Sequence, residues 1–95
     1  MTTTTEALAR YETAQETLGM LVAMRTRWIY EEEQKNAPDV GKIAQWKKEQ
    51  AYFSDEDDAL LFTDSGEIER VITVYGPMVK ATLPRHERPL QAIQR

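Results

Sequence analysis

The sequence predicts an all-α protein: a long helical hairpin over about residues 5–35 and 39–62, a shorter third helix over 65–75, and a short C-terminal segment. Three observations predict it. No proline interrupts residues 6–35, where apolar side chains recur at helical spacing. Asn36-Ala37-Pro38-Asp39 then breaks the pattern with residues suited to a helix end, a turn and a new start. Beyond the break, Ile43, Trp46, Gln50, Phe53, Asp57 and Leu60 follow in alternating steps of three and four.

The first helix takes Thr5 as its cap and Leu8 as the start of its apolar stripe. Tyr11, Leu18, Leu21, Val22, Trp28 and Ile29 continue the stripe, with Ala14 and Met24 on or near the same face. Gly19 is the one weak point, at about 1 kcal/mol relative to Ala, and its small size suits a helix crossing. At 1.5 Å per residue the helix spans about 45 Å, long for so small a domain, so its stripe requires a partner.

The turn is short enough for an αα-hairpin. In the second helix the run Asp55-Glu56-Asp57-Asp58 raises the main ambiguity. Ser54 is a good N-cap, and acids in a first turn complement the helix dipole, so the expectation is a kinked restart at Ser54. The same four carboxylates also form a candidate acidic patch for a basic partner. A calcium loop fits poorly, because Ala59 stands where a ligand is needed and Leu60 where the turn glycine is needed.

Residues 63–84 read two ways. Asp64 as N-cap with Glu67 three residues on, Ile68, Val71, Ile72 and Tyr75 at helical spacing, and Gly76-Pro77 as a stop predict a third helix. Val71-Ile72-Thr73-Val74-Tyr75 is also a run of strand formers, so the alternative is an α+β fold with a β-hairpin or three-stranded meander in 59–83. Residues 1–84 are expected to form a single small helical domain, with 85–95 as a mobile polar tail.

Composition narrows the chemistry. The chain has 95 residues, no Cys and one His, which excludes disulfides, thiolate chemistry and a multi-His metal site within one chain. His86, between Arg85 and Glu87 in the expected tail, is poorly placed to serve as a general base. The glycines at 19, 41, 66 and 76 are too far apart for a phosphate-binding loop. No catalytic residue, metal or cofactor is therefore expected, and the chain is expected not to be an enzyme. It carries neither a signal-peptide pattern nor an apolar run of membrane-spanning length, so a soluble, cytoplasmic protein without membrane attachment is expected.

The net charge is −4, and residues 37–66 hold seven acids against three lysines. An acidic chain binds phosphate backbones poorly, which makes nucleic acid an unlikely partner and favours a protein with a basic surface. The stretch Met24-Arg25-Thr26-Arg27-Trp28 supplies side chains common at interface hot spots. Arg25, Arg27, Trp28 and Trp46 form a second candidate patch, although Trp28 also fits a core position with the arginines snorkelling around it. Glu31-Glu32-Glu33, at the unfavourable end of the first helix, reads as a solvated face or a recognition surface.

These readings favour a non-enzymatic protein–protein interaction module, a small acidic regulator or inhibitor that binds a macromolecular partner and can also form a homodimer. In size, charge and lack of catalytic groups it resembles the acidic inhibitors that phages and plasmids encode against host nucleases or CRISPR effectors, although no motif carries that likeness. The alternative is a DNA-binding regulator or antitoxin that uses Arg85, Arg88 and Arg95 of the basic tail.

Overall fold

The computed structural model describes residues 3–82. Every element among them is helical: α1 (Thr4–Glu33), α2 (Val40–Ala59), α3 (Ser65–Arg70), a π-helical turn (Val71–Tyr75) and α4 (Gly76–Thr82). The expected hairpin is therefore present, and the β-hairpin and meander are not. The tail expected over 85–95, with Arg85, His86, Arg88 and Arg95, lies outside the described residues.

α1 begins earlier than expected. Its cap is Thr3, whose hydroxyl oxygen accepts the Glu6 N–H at 3.1 Å while the Glu6 carboxylate accepts the Thr3 N–H at 2.9 Å. Thr3 wins over Thr5 because it alone has a glutamate three residues on; Thr5 is followed at that spacing by Leu8. Ala14, Leu18, Leu21 and Ile29 of the expected stripe are buried, but Leu8 is 45 % exposed. The stripe also carries two charged side chains that a hydrophobic pattern omits: Arg25 and Glu32 are buried.

Glu32 stitches the hairpin turn. Its carboxylate accepts the Asp39 N–H at 2.9 Å and pairs with Lys35 at 2.9 Å. Asp39 in turn caps α2, accepting the Lys42 N–H at 3.1 Å. α2 runs antiparallel to the second half of α1. Trp46 meets Trp28, Glu49 meets Arg25, and Gln50 donates to the Thr26 hydroxyl at 2.7 Å.

The expected restart at Ser54 does not occur. α2 is continuous from Val40 to Ala59, because Phe53 is buried against Tyr75 with ring centroids 5.3 Å apart and the stripe continues to buried Leu60. The four acids therefore occupy the last turns of a helix, where negative charge opposes the dipole. Arg70, which also donates to Glu67 of its own helix at 2.6 Å, offsets part of that cost by donating to Glu56 at 2.9 Å.

Asp64 caps α3 as expected, accepting the Glu67 N–H at 3.0 Å. α3, the π turn and α4 form one continuous rod lying along α1. An Arg10–Glu69 ion pair holds one end, and the Thr82 hydroxyl contacts the Met24 sulfur at 3.5 Å at the other. Ile68, Val71, Tyr75 and Val79 face the core. Gly76-Pro77 does not stop the rod: Gly76 is right-handed helical, with φ −53° and ψ −50°. Helix-interior glycine and proline cost about 1 and 3 kcal/mol. The π turn just ahead of Pro77 is the distortion expected where proline offers no N–H and crowds the carbonyl four residues back.

The core thus sits where the three rods meet: Ala14, Leu18 and Leu21 of α1, Phe53 and Leu60 from the end of α2, and the inward face of the third rod. Leu18, Leu21 and Val71 are the largest wholly buried side chains, each contributing roughly 1.5–3 kcal/mol.

Candidate partner-binding surfaces

The fold places the two candidate patches at different levels of α2, the acids in its last turns and Trp46 in its N-terminal half. At its C-terminal end, Asp55 and Asp58 are exposed and make no hydrogen bond or ion pair among the described residues. Glu56 is half-buried and held by Arg70. Asp57 is half-buried, and its Oδ1 is enclosed without a hydrogen-bond partner. Desolvation, with the Asp58 charge beside it, pushes the Asp57 carboxyl above its ordinary range. The acidic run therefore divides into two residues turned to solvent and two turned towards the rods.

Immediately after this turn the chain exposes apolar surface. Leu60 completes the α2 stripe and is buried, but Leu61 is 61 % exposed and Phe62 41 % exposed. Phe62 stands edge-on to Tyr11 at 5.8 Å, one helical turn from exposed Leu8. Beside it lies a depression of about 290 Å³ lined by Ala7, Arg10, Phe62, Ser65, Ile68 and Glu69. An apolar centre with a charged margin is the usual anatomy of a protein interface. Sequence reasoning stopped at the acids and missed Leu61 and Phe62. Their signal was that they follow Leu60, which already fills the last core position, and are surplus to the stripe.

Further towards the hairpin turn, Arg25, Trp28 and Trp46 come together, whereas Arg27 points elsewhere and pairs with Glu31 on an exposed surface at 3.2 Å. Trp28 and Trp46 are half-buried, 5.7 Å apart and inclined by 53°. Arg25 lies behind them, its guanidinium 4.8 Å from the Trp28 ring and 5.0 Å from Phe53. It donates to Glu49 at 2.9 Å and to the Leu21 carbonyl at 3.2 Å. The indoles wall an open cleft of about 370 Å³ with Glu31, Glu32, Lys35 and Lys42.

The charges around this cleft are largely matched. The Lys35 ammonium and the Asp39 N–H hold the Glu32 carboxyl below its usual range, and Glu32 raises Lys35 in return. Glu49 is lowered by the Gln45 amide and then by Arg25, against an opposing effect of burial. Among the described residues no three side chains of His, Asp or Glu converge in a way that could hold a metal ion, and no helix is long and apolar enough to cross a membrane. No family model matches this chain, and no curated protein or solved structure is significantly similar to it.

Proposed function

We propose that the chain is a non-enzymatic protein–protein interaction module, a small acidic regulator or inhibitor that grips a cytoplasmic protein with a basic surface. The observation that carries this reading is the corner at the end of α2, where solvent-facing Asp55 and Asp58 adjoin the exposed pair Leu61 and Phe62. Burying two large apolar side chains drives association, and flanking carboxylates select a cationic partner and steer its approach. The Trp28–Trp46 cleft is a second surface of the same module, with Arg25 as its support. A basic enzyme that handles nucleic acid is the partner class best matched by charge, which keeps inhibition of a nuclease or CRISPR effector within the proposal.

The test is affinity capture with four baits: the wild-type chain, Asp55→Lys/Asp58→Lys, Leu61→Ser/Phe62→Ser, and Trp46→Ala. The partner captured by the wild type should be lost with both corner variants, and its purified form should bind at least ten-fold more weakly to each. Weakening by salt should be steep for the wild type and shallow for the lysine variant. A partner bound equally by all four baits, or steep salt-dependent binding to duplex DNA with no protein partner, would defeat the proposal. The second outcome would favour the DNA-binding regulator.

A further inference from the structure

We infer that α4 is a hinged flap: the third rod has a second stable form that ends at Tyr75, with Gly76 in the left-handed region and Pro77 leading α4 away from α1. Three features meet at this one point, and each disfavours the continuous rod. Gly76 has an ordinary right-handed torsion, and a Cβ placed on it would meet nothing within 4 Å. Neither backbone nor packing in the closed form therefore asks for glycine. Pro77 follows, unable to donate a helical hydrogen bond. The π turn precedes both.

Glycine followed by proline is instead what a helix terminus asks for, since glycine enters the left-handed region without a Cβ penalty and proline cannot continue the helix. The local sequence encodes an end, and tertiary contact overrides it. That contact is slight. Val79 is the one α4 side chain in the core; Met78 and Lys80 are exposed, and the Thr82 hydroxyl, which donates to the Met78 and Val79 carbonyls of its own helix, reaches α1 through the Met24 sulfur. Opening exposes Val79 and the part of the core that it covers. It also widens the groove of about 530 Å³ lined by Thr13, Thr17, Ile72, Pro77, Val79 and their neighbours.

Native-state hydrogen exchange read by mass spectrometry tests this on the full chain and three variants. In the wild type, amides of residues 78–82 should exchange through an opening that leaves residues 18–21 of α1 protected. Gly76→Ala closes the left-handed region at no steric cost and should slow exchange at 78–82 by about five-fold, with a smaller effect at 18–21. Pro77→Ala should act in the same direction, and Val79→Ala, which removes the anchor, should speed exchange at 78–82. Exchange of both segments at one common rate, shifted equally by Gly76→Ala, would mean that α4 opens only with the whole domain and would overturn the inference. No effect of Gly76→Ala at 78–82 would overturn it equally.

Discussion

Replacing Arg25 by methionine is the sharpest test of how the hairpin is held. The substitution keeps an apolar stem of similar length but removes the charge, the donors and the stacking plane. Arg25 is 8 % exposed and donates to the Glu49 carboxylate and the Leu21 carbonyl. Hydrogen bonds involving a charged group contribute roughly 1.5–3 kcal/mol each, and a cation over an aromatic ring about 0.5–2 kcal/mol. Two effects offset these gains. Arg25→Met no longer carries the cost of burying a guanidinium, and the Glu49 side chain, 31 % exposed, can return to water when its partner is gone. The net loss should be about 1–3 kcal/mol, or about 5–15 °C in Tm for a domain of this size. Urea unfolding followed in parallel by tryptophan fluorescence and far-ultraviolet circular dichroism measures it. A double-mutant cycle with Glu49→Gln should return a coupling of about 1 kcal/mol. A loss below about 0.5 kcal/mol, or strict additivity in the cycle, would show that the Arg25–Glu49 pair does not hold the helices together.

Asp57→Asn should raise the Tm at pH 7. The folded-state pKa of Asp57 is raised, so its stabilising form is the protonated one, and that contribution is lost as pH rises through the folded value; the advantage of the variant should vanish below about pH 4. Glu32, Glu49 and Glu67 work the other way. Their lowered values give stability that is fully present above about pH 4.3 and lost as pH falls through the folded values, so melts should decline on acidification, and less so in Glu49→Gln. Leu18→Ala, at the centre of the core, should cost about 2–5 kcal/mol in chemical denaturation. Leu61→Ser should change stability by no more than about 0.5 kcal/mol while weakening partner capture, and a large stability loss would place Leu61 in the fold rather than the interface.

What the sequence made legible follows from which interactions are local. The α2 stripe of Ile43, Trp46, Gln50, Phe53, Asp57 and Leu60 was readable because helical periodicity depends only on spacing, and all six side chains are buried or half-buried. The Asp64 cap was readable because its partner is three residues away. The reading failed where a distant contact outweighed a local signal. Ser54 and the following acids look like a helix start, but Phe53 docking on Tyr75 and Arg70 reaching Glu56 carry the helix through them. Gly76-Pro77 looks like a stop, but Val79 returns to the core and the rod continues. At the candidate site, acidic clustering was visible in composition. Its division into outward Asp55 and Asp58 and inward Glu56 and Asp57 depends on where the third rod lies, which no local window contains.

The buried charges also answer a question that the apolar pattern leaves open, namely why the hairpin has one register. α2 contributes a single buried side chain, Phe53, and Ile43 and Trp46 are only half-buried. So sparse a stripe would tolerate a shift by one helical turn at modest cost. The polar contacts would not. Moving forward along α1 from Arg25 and Thr26 to Trp28 and Glu32, the partners on the other arm move back from Glu49 and Gln50 to Trp46 and Asp39. A one-turn slip would separate each of these matches at once, leaving the buried Arg25 guanidinium without the Glu49 carboxylate and the buried Glu32 carboxylate without the Asp39 N–H, with only Leu21 and Lys35 still in reach within α1 and the turn. Uncompensated buried charge is among the most expensive errors a fold can contain. The pairs therefore contribute less to absolute stability than to excluding the neighbouring registers. Arg25→Met should broaden the ensemble as well as destabilise it, and the Trp28 and Trp46 indole N–H resonances should report that broadening as multiple or exchange-broadened signals. A single sharp pair of indole signals in Arg25→Met, at wild-type positions, would show that the apolar contacts alone fix the register.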